Sequence, residues 1–325
     1  MLSIVVITRN NRELIANLLA SIEQDASLKP FLSEVIVVDN GSTDGTEALL
    51  RERFPWVKHL TGSENRGFAA AVNRGFAVAS GEFFLLLNSD TVLPEGEVAR
   101  LVAFMRANAD VGIAGPQLVY PDMGLQRSAA PVPSLLREAL PERFLDRVLP
   151  RAYADRGRGG EGPRDVASVI GAAVMIRSDV MRKLGGFDER FFFFLEETDF
   201  CVRVRQNGYR VVFFPGSKVV HLQGQTVRRT WIKGRMEYAI SLYKFMEKYH
   251  SRVYLGVFAM VRAAKAIVAI VVTTCLPFLL FSRSTRMRYG YYWSLLFWHV
   301  RGCPDDAGLR PIIGARVAPS PGKAV

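Results

Sequence analysis

The sequence predicts an α/β fold in which a mostly parallel, Rossmann-like sheet is flanked by helices on both faces. Strand and helix signals alternate through the first half, as βαβ units require. No repeat of fixed period competes with that reading. The 325 residues suffice for one large core plus an appendage.

Taken in order, SIVVIT (3–8) is a β-branched run, followed by a helical stretch from Glu13 to Glu23. EVIVVDN (34–40) is a second strand and DGTEALLRERF an amphipathic helix. VKHLTG is a third strand, GFAAAVNRGFAVA an Ala-rich helix and EFFLLLN (82–88) a fourth strand. A helix from Glu95 to Asn108 leads to VGIAGPQLV. Residues 120–165 accumulate Pro, Arg and Gly and read as a mobile insertion with helical pieces in LLREAL and ERFLDRVL. Order returns with VASVIGAAVMIR and VVFFPGSKVVHLQG, and beyond Trp231 the chain reads as helical. The main domain is assigned to 1–245 and a basic, apolar helical tail to 246–325.

Charge is uneven. Residues 225–325 hold sixteen Lys and Arg against four Asp and Glu, so the whole net charge of +11 sits in the last third. There it is interleaved with the longest apolar run, a pattern that fits an anionic membrane surface. No groove-reading motif accompanies it, and no nucleic-acid partner is expected. Ala266 to Phe281 is free of charge, but this stretch falls short of the ~20 residues of a bilayer span. With arginines on both sides it reads as an in-plane or re-entrant helix. A tilted span that snorkels its arginines and a helix pair packed on the main domain are the alternatives. Cys201, Cys275 and Cys303 have no metal spacing and suggest a reducing compartment. MLSIVVITRN runs straight into a strand without a signal-peptide pattern. Together these features place the chain at the cytoplasmic face of a membrane, peripheral or monotopic.

In open parallel sheets ligands bind beyond the carboxyl ends of the strands. Those ends carry Thr8 and Arg9 after the first strand, Asp39, Asn40 and Ser42 after the second, and Asn88, Ser89 and Asp90 after the fourth. Each cluster alone is also good turn or capping chemistry; three on one edge describe a polar crevice. No GxGxxG follows the first strand and no GxxxxGK[ST] occurs, which excludes dinucleotide and P-loop readings. Asp39 suits an imide N–H or a ribose hydroxyl. Asp90 suits a hard divalent cation, Mg²⁺ or Mn²⁺, whose shell is completed by phosphate oxygens. Arg66 and Gly67 open the third helix, where backbone N–H groups and a cation would meet a diphosphate.

VVITRN, VVDNGSTDG, ENRGFAAAVNRG and LLLNSDTVL, in that order, resemble the family 2 glycosyltransferases of GT-A fold. The block GGFDERFFFFLEETDFCVRVRQNGYRVVFFPGSKVVHLQGQT resembles the rhamnosyltransferase-type branch. The resemblance covers roughly residues 2 to 226. It implies an inverting transfer from a nucleotide-diphosphate sugar, with L-rhamnose as the suggested sugar; the basic, apolar tail points to an envelope glycan or polyprenyl-linked acceptor. The resemblance further implies that Asp39 contacts base or ribose and that Asp90 ends a DxD-type metal motif. Glu197 takes the place of the general base, and His221 that of a late metal or diphosphate ligand. Asp188, Glu196 and Asp199 are acceptor-side candidates. Two departures stand out: Asn88-Ser89-Asp90 lacks the first carboxylate of DxD, and Glu196-Glu197 stands where Glu-Asp is usual. They leave room for a non-catalytic nucleotide-sugar-binding or membrane scaffold protein.

FFFFLEETDF (191–200) sets three carboxylates against four phenylalanines. A helix beginning near Glu196 puts Asp199 one turn before Arg203 in the favourable acid-first order, with Glu196 on the same side. Glu197 instead heads the apolar stripe of Phe200, Cys201 and Val204. A carboxylate there is predicted to be partly desolvated, raised in pKa and better suited to accept a proton.

Overall fold

The computed structural model describes residues 1–149, 157–222 and 231–310. A sheet runs in the order β3-β2-β1-β4-β10-β6-β11-β5. Its members are β1 (Leu2–Thr8), β2 (Leu32–Asp39), β3 (Lys58–Thr61), β4 (Phe83–Asn88), β5 (Thr91–Val92), β6 (Val111–Val119), β10 (Ala173–Arg177) and β11 (Arg210–His221). β7 (Ala129–Ala130) pairs with β9 (Ser168–Val169) in a second small sheet, and β8 (Arg164–Asp165) pairs with β11. β3, β2, β1 and β4 are parallel, as are β6 and β11, whereas β10 enters antiparallel to both β4 and β6. The sheet is therefore mixed around its parallel half.

Both faces are covered, which explains the near-continuous apolar runs. Ile4 and Val6 of β1 pack with α1 (Arg12–Gln24), α2 (Thr46–Arg53) and α4 (Glu97–Ala107) through Ile15, Leu50 and Leu101. Val5 and Ile7 turn the other way, toward Val72 of α3 (Phe68–Ala77) and Phe200 of α8 (Glu196–Gln206). Strand alternation thus divides one chain segment between two cores.

The segment 120–165 was expected to be mobile. Its described part is built into the fold, with α5 (Leu135–Ala139), α6 (Glu142–Val148) and the buried Gln126, Ser128 and Ala129. Its polar residues close internal hydrogen bonds: Gln126 Nε2 donates to the His221 carbonyl at 2.6 Å, and Leu118 N to Ser128 Oγ at 2.8 Å. Residues 150–156 lie outside the described part. After α7 (Ser178–Lys183) and α8, three helices follow: α9 (Trp231–Tyr249), α10 (Arg252–Cys275) and α11 (Arg283–Val300). A domain boundary at 245 would cut α9 in mid-helix. α9 instead packs on the main domain through Leu242, Phe245 and Met246 against Phe191 and Leu195.

Candidate active site

Strand register builds the crevice. Thr8 lies opposite Asp39, and Ile7 opposite Asn88, so β1, β2 and β4 end level with one another. All three polar clusters share that edge, as the sequence predicts. Asp39 is buried and accepts the Ser42 N–H at 2.8 Å. Asn40 braces the next loop, accepting the Arg66 N–H at 3.0 Å and donating to Asn65 Oδ1 at 2.9 Å. Thr8 is buried, and its hydroxyl has no hydrogen-bond partner among the described residues. A ligand group at the crevice would satisfy that hydroxyl. Arg9 is exposed beside it.

The start of α3 departs from expectation. The N–H groups of Arg66, Gly67 and Phe68 donate to Asn40 Oδ1, Asn65 Oδ1 and the Phe192 carbonyl, the last at 2.7 Å. These orphan donors are already satisfied by the protein, so they do not form an open diphosphate cradle. Gly67 instead permits close approach: at φ +90°, a Cβ there would lie 2.7 Å from the Phe192 carbonyl oxygen. The exposed Arg66 side chain is still open to an anion.

Asp90 and His221 meet because β5, which directly follows Asn88-Ser89-Asp90, pairs with the end of β11, setting His221 opposite Thr91. His221 Nε2 lies 3.5 Å from Asp90 Oδ1. The amide of Gln126 donates to carbonyls, so its Oε1 accepts from His221 Nδ1 at 3.1 Å. Nδ1 is thereby engaged and Nε2 is the ring nitrogen turned to the carboxylate. An imidazole nitrogen and a carboxylate oxygen on one side are a donor pair that a divalent cation could join, with its other ligands coming from diphosphate oxygens and water. Ser89 is buried and accepts from Asn11 Nδ2 at 3.1 Å; the half-buried Asn88 donates its N–H to Ala172 O at 2.9 Å.

α8 begins at Glu196 after Phe194 and Leu195, both at positive φ (72° and 67°), so the phenylalanine loop turns sharply into the helix. Glu197 is half-buried and stacked on Gly171, where a Cβ would come within 3.4 Å of its Cγ. Gly171 adjoins Ala172, whose carbonyl bonds Asn88, so Glu197 is tied through two residues to the end of β4. Burial raises the Glu197 carboxyl above the ordinary range, partly offset by hydrogen bonds from backbone N–H groups and Thr198.

The other acids of this block are held inside the protein, and Glu196 is not where the helical spacing puts it. Glu196 turns away from Arg203 into the interior. Only 4% of it is exposed, and its Oε2 has no partner among the described residues. Burial first, and then the negative Glu197 and Glu237, hold its carboxyl well above the usual range.

Asp199 is fully buried and bound by Arg203 at 2.9 Å, Lys248 at 2.6 Å and the Tyr249 hydroxyl at 2.8 Å. The Asp199–Arg203 pair forms as predicted, but no face of Asp199 is left for an acceptor. Asp188 is taken by Arg190 at 2.8 Å and Lys248 at 2.7 Å. Burial alone would raise its carboxyl, yet these hydrogen bonds outweigh burial and hold it well below the ordinary range. Both aspartates fasten α9 to the main domain, and their oxygens are engaged within the protein. Gln126 and Gly171 were missed. Gln126 sits in a stretch whose composition reads as loose, and Gly171 is one small residue among several in IGAA.

A sheet of this order, with polar clusters gathered at its strand ends, has the GT-A fold of glycosyltransferases. The chain belongs to glycosyl transferase family 2, whose model matches residues 3–185. Glu197 and His221 lie beyond that match. The N-acetylglucosaminyl-diphospho-decaprenol L-rhamnosyltransferase of Mycobacterium tuberculosis is 28% identical over 233 residues, covering 67% of this chain and 75% of its own length. The O-antigen biosynthesis protein RfbC of Myxococcus xanthus is 26% identical, covering 70% of this chain and 18% of its own length. Among solved structures, the mannosyltransferase PcManGT of Pyrobaculum calidifontis, in complex with GDP-Man and Mn²⁺, aligns with a TM-score of 0.57 at 20% identity. That alignment covers 92% of this chain and 86% of that one, and shows a shared fold.

Proposed function

We propose that this transferase moves a sugar, with L-rhamnose the leading candidate, from a nucleotide diphosphate to a hydroxyl of a lipid-linked or other envelope glycan, with inversion, at the cytoplasmic face of a membrane. The observation that carries the reading is Glu197 held against Gly171, next to the residue whose carbonyl bonds Asn88. A proton acceptor and the nucleotide crevice thereby share one strand end. The relative named for transfer to a decaprenol-linked acceptor supports the sugar and the acceptor class.

In the proposed reaction, Asp39 and the unpartnered Thr8 hydroxyl bind the nucleoside. Asp90 and His221 would hold Mg²⁺ or Mn²⁺, which would supply positive charge to the diphosphate. The acceptor oxygen attacks the anomeric carbon from the face opposite the diphosphate. Glu197 takes its proton as the new C–O bond forms and the old one breaks, so the centre inverts in one displacement.

The test is thermal shift with nucleotide sugars, with and without Mn²⁺, followed by transfer of radiolabelled sugar to polyprenyl-linked acceptors. A cognate donor raises the melting point, and Mn²⁺ raises it further. Asp90→Ala keeps the ligand-free melting point within about 2 °C and loses the Mn²⁺-dependent increment. An increment unchanged in that variant would remove Asp90 from the metal site, and transfer from no nucleotide sugar would remove the function.

A further inference from the structure

α10 and α11 pack against each other through the short 3₁₀ turn Pro277–Phe281, forming a helical hairpin whose outer face is apolar. Phe281 is 87% exposed, and Phe278, Val268, Val271, Trp293 and Phe297 are all more than half exposed. Apolar side chains that collect on one hairpin are a contact surface, unlike the scattered ones of an ordinary exterior. The same stretch is one-sided in charge. From Ser251 to Pro304 there are seven Lys and Arg and no Asp or Glu. Exposed Arg283 and Arg288 follow directly after the tip, and Arg286 caps it by donating to the carbonyls of Leu280 and Phe281 at 2.7 and 3.0 Å.

α10 is long enough to cross a bilayer, with 24 residues, a mean hydropathy of 2.2 over its apolar window, and only 22% of that window buried. Its inner face argues against crossing. Arg262, only 6% exposed, bonds Glu138 of α5 and the Tyr291 hydroxyl of α11, each at 3.0 Å, and Lys265 also bonds Glu138. Ala266 is fully buried in one cluster with Ile240, Leu295 and Trp298. Pulling α10 upright through a membrane would strip Glu138 of both cations and open that cluster, leaving buried charge uncompensated. Lying flat, the helix keeps every one of these contacts and wets only its apolar outer stripe with lipid.

We propose that α10, the Pro277–Phe281 turn and α11 form a monotopic foot that enters one leaflet of an anionic bilayer without spanning it. Phe278 and Phe281 sink below the headgroups while Arg283 and Arg288 meet lipid phosphates, the two signals that stable anchoring requires. The foot is coupled to the catalytic helix. Tyr243 of α9 bonds His299 of α11 at 2.6 Å, and Lys248 of α9 bonds Asp199 of α8 at 2.6 Å. The bilayer thereby fixes the height of Glu197 above the headgroups, as a hydroxyl close to a lipid anchor would require. This purpose rests on the proposed acceptor; the surface itself does not.

Vesicle flotation of the full chain tests the surface. Binding is expected to phosphatidylglycerol-containing vesicles, to weaken with salt, and to fall at least about tenfold on pure phosphatidylcholine or in the double variant Phe278→Ser, Phe281→Ser. That variant keeps the donor-induced thermal shift and transfer to a short soluble acceptor, so loss of the foot is separable from failure of the proposed reaction. Brominated lipids quench fluorescence from Trp293, and Trp293→Phe removes the quenched component. In native membranes an impermeant maleimide reaches Cys275 and Ser251→Cys from the same side. Equal vesicle binding by the double variant, no binding by the parent chain, or labelling of the two helix ends from opposite sides would each overturn the proposal. So would light scattering that shows this face closed in a dimer.

Discussion

Glu197→Gln is expected to leave the fold and donor binding intact and to lower kcat by about 10²–10⁴-fold, the usual contribution of a positioned general base. Glutamine keeps the stacking on Gly171 and can still accept from Thr198, whose hydroxyl lies 3.4 Å from Glu197 Oε1. Only the basic oxygen is lost. The pH profile sharpens the test. Glu197 works deprotonated, and burial raises its pKa. Activity therefore falls as pH drops through a value above that of an exposed glutamate. Glu196→Gln is the control. Burial and the neighbouring acids push Glu196 toward its neutral form, so replacing it with a neutral isostere should leave the acid limb almost in place. A large downward move of that limb would mean that Glu196 carries charge and that its repulsion supports the base. Transfer by Glu197→Gln at nearly the parental rate would reassign the base altogether.

Why the direction of Glu197 was legible while that of its neighbour was not comes down to range. The apolar stripe of Phe200, Cys201 and Val204 is written at helical spacing, so the direction of Glu197 follows from local geometry. Parallel strand ends likewise share an edge because of the βαβ rule, which placed Thr8, Asp39 and Asn88 together before any contact was known. Glu196 failed for the opposite reason. Its i+7 relation to Arg203 is correct, but α9 packs over the start of α8 and brings Glu237 near, and nothing local announces that. Gln126 engages the ring of a histidine 95 residues away, a pairing made only when β5 and β11 meet. The Gly67 turn shows the same limit. Sequence marks a helix N-terminus, but it cannot show that the Phe192 carbonyl already occupies it.

The long-range cluster around Asp199 carries the second large effect, on stability. Asp199→Ala is expected to destabilise the protein by about 3–5 kcal/mol, as removal of one partner from a buried ion pair does. The carboxylate is fully buried, and Arg203 and Lys248 are each less than a fifth exposed, so Arg203 would be left without a counter-charge in a largely dry site and Lys248 with Asp188 alone. Arg203 would keep its bonds to the carbonyls of Leu184 and Gly186, and Lys248 its bond to Asp188. The loss therefore falls on the junction between α8 and α9 rather than on either helix alone. Lys248→Met removes one positive charge from between Asp188 and Asp199, while Arg203 and Tyr249 still hold Asp199 and Arg190 still holds Asp188. Its cost should be clearly smaller. Urea unfolding of both variants measures the difference. Equal costs would mean that Lys248, not Asp199, is the group whose burial most needs a partner, and the junction would then depend on the cation that α9 contributes.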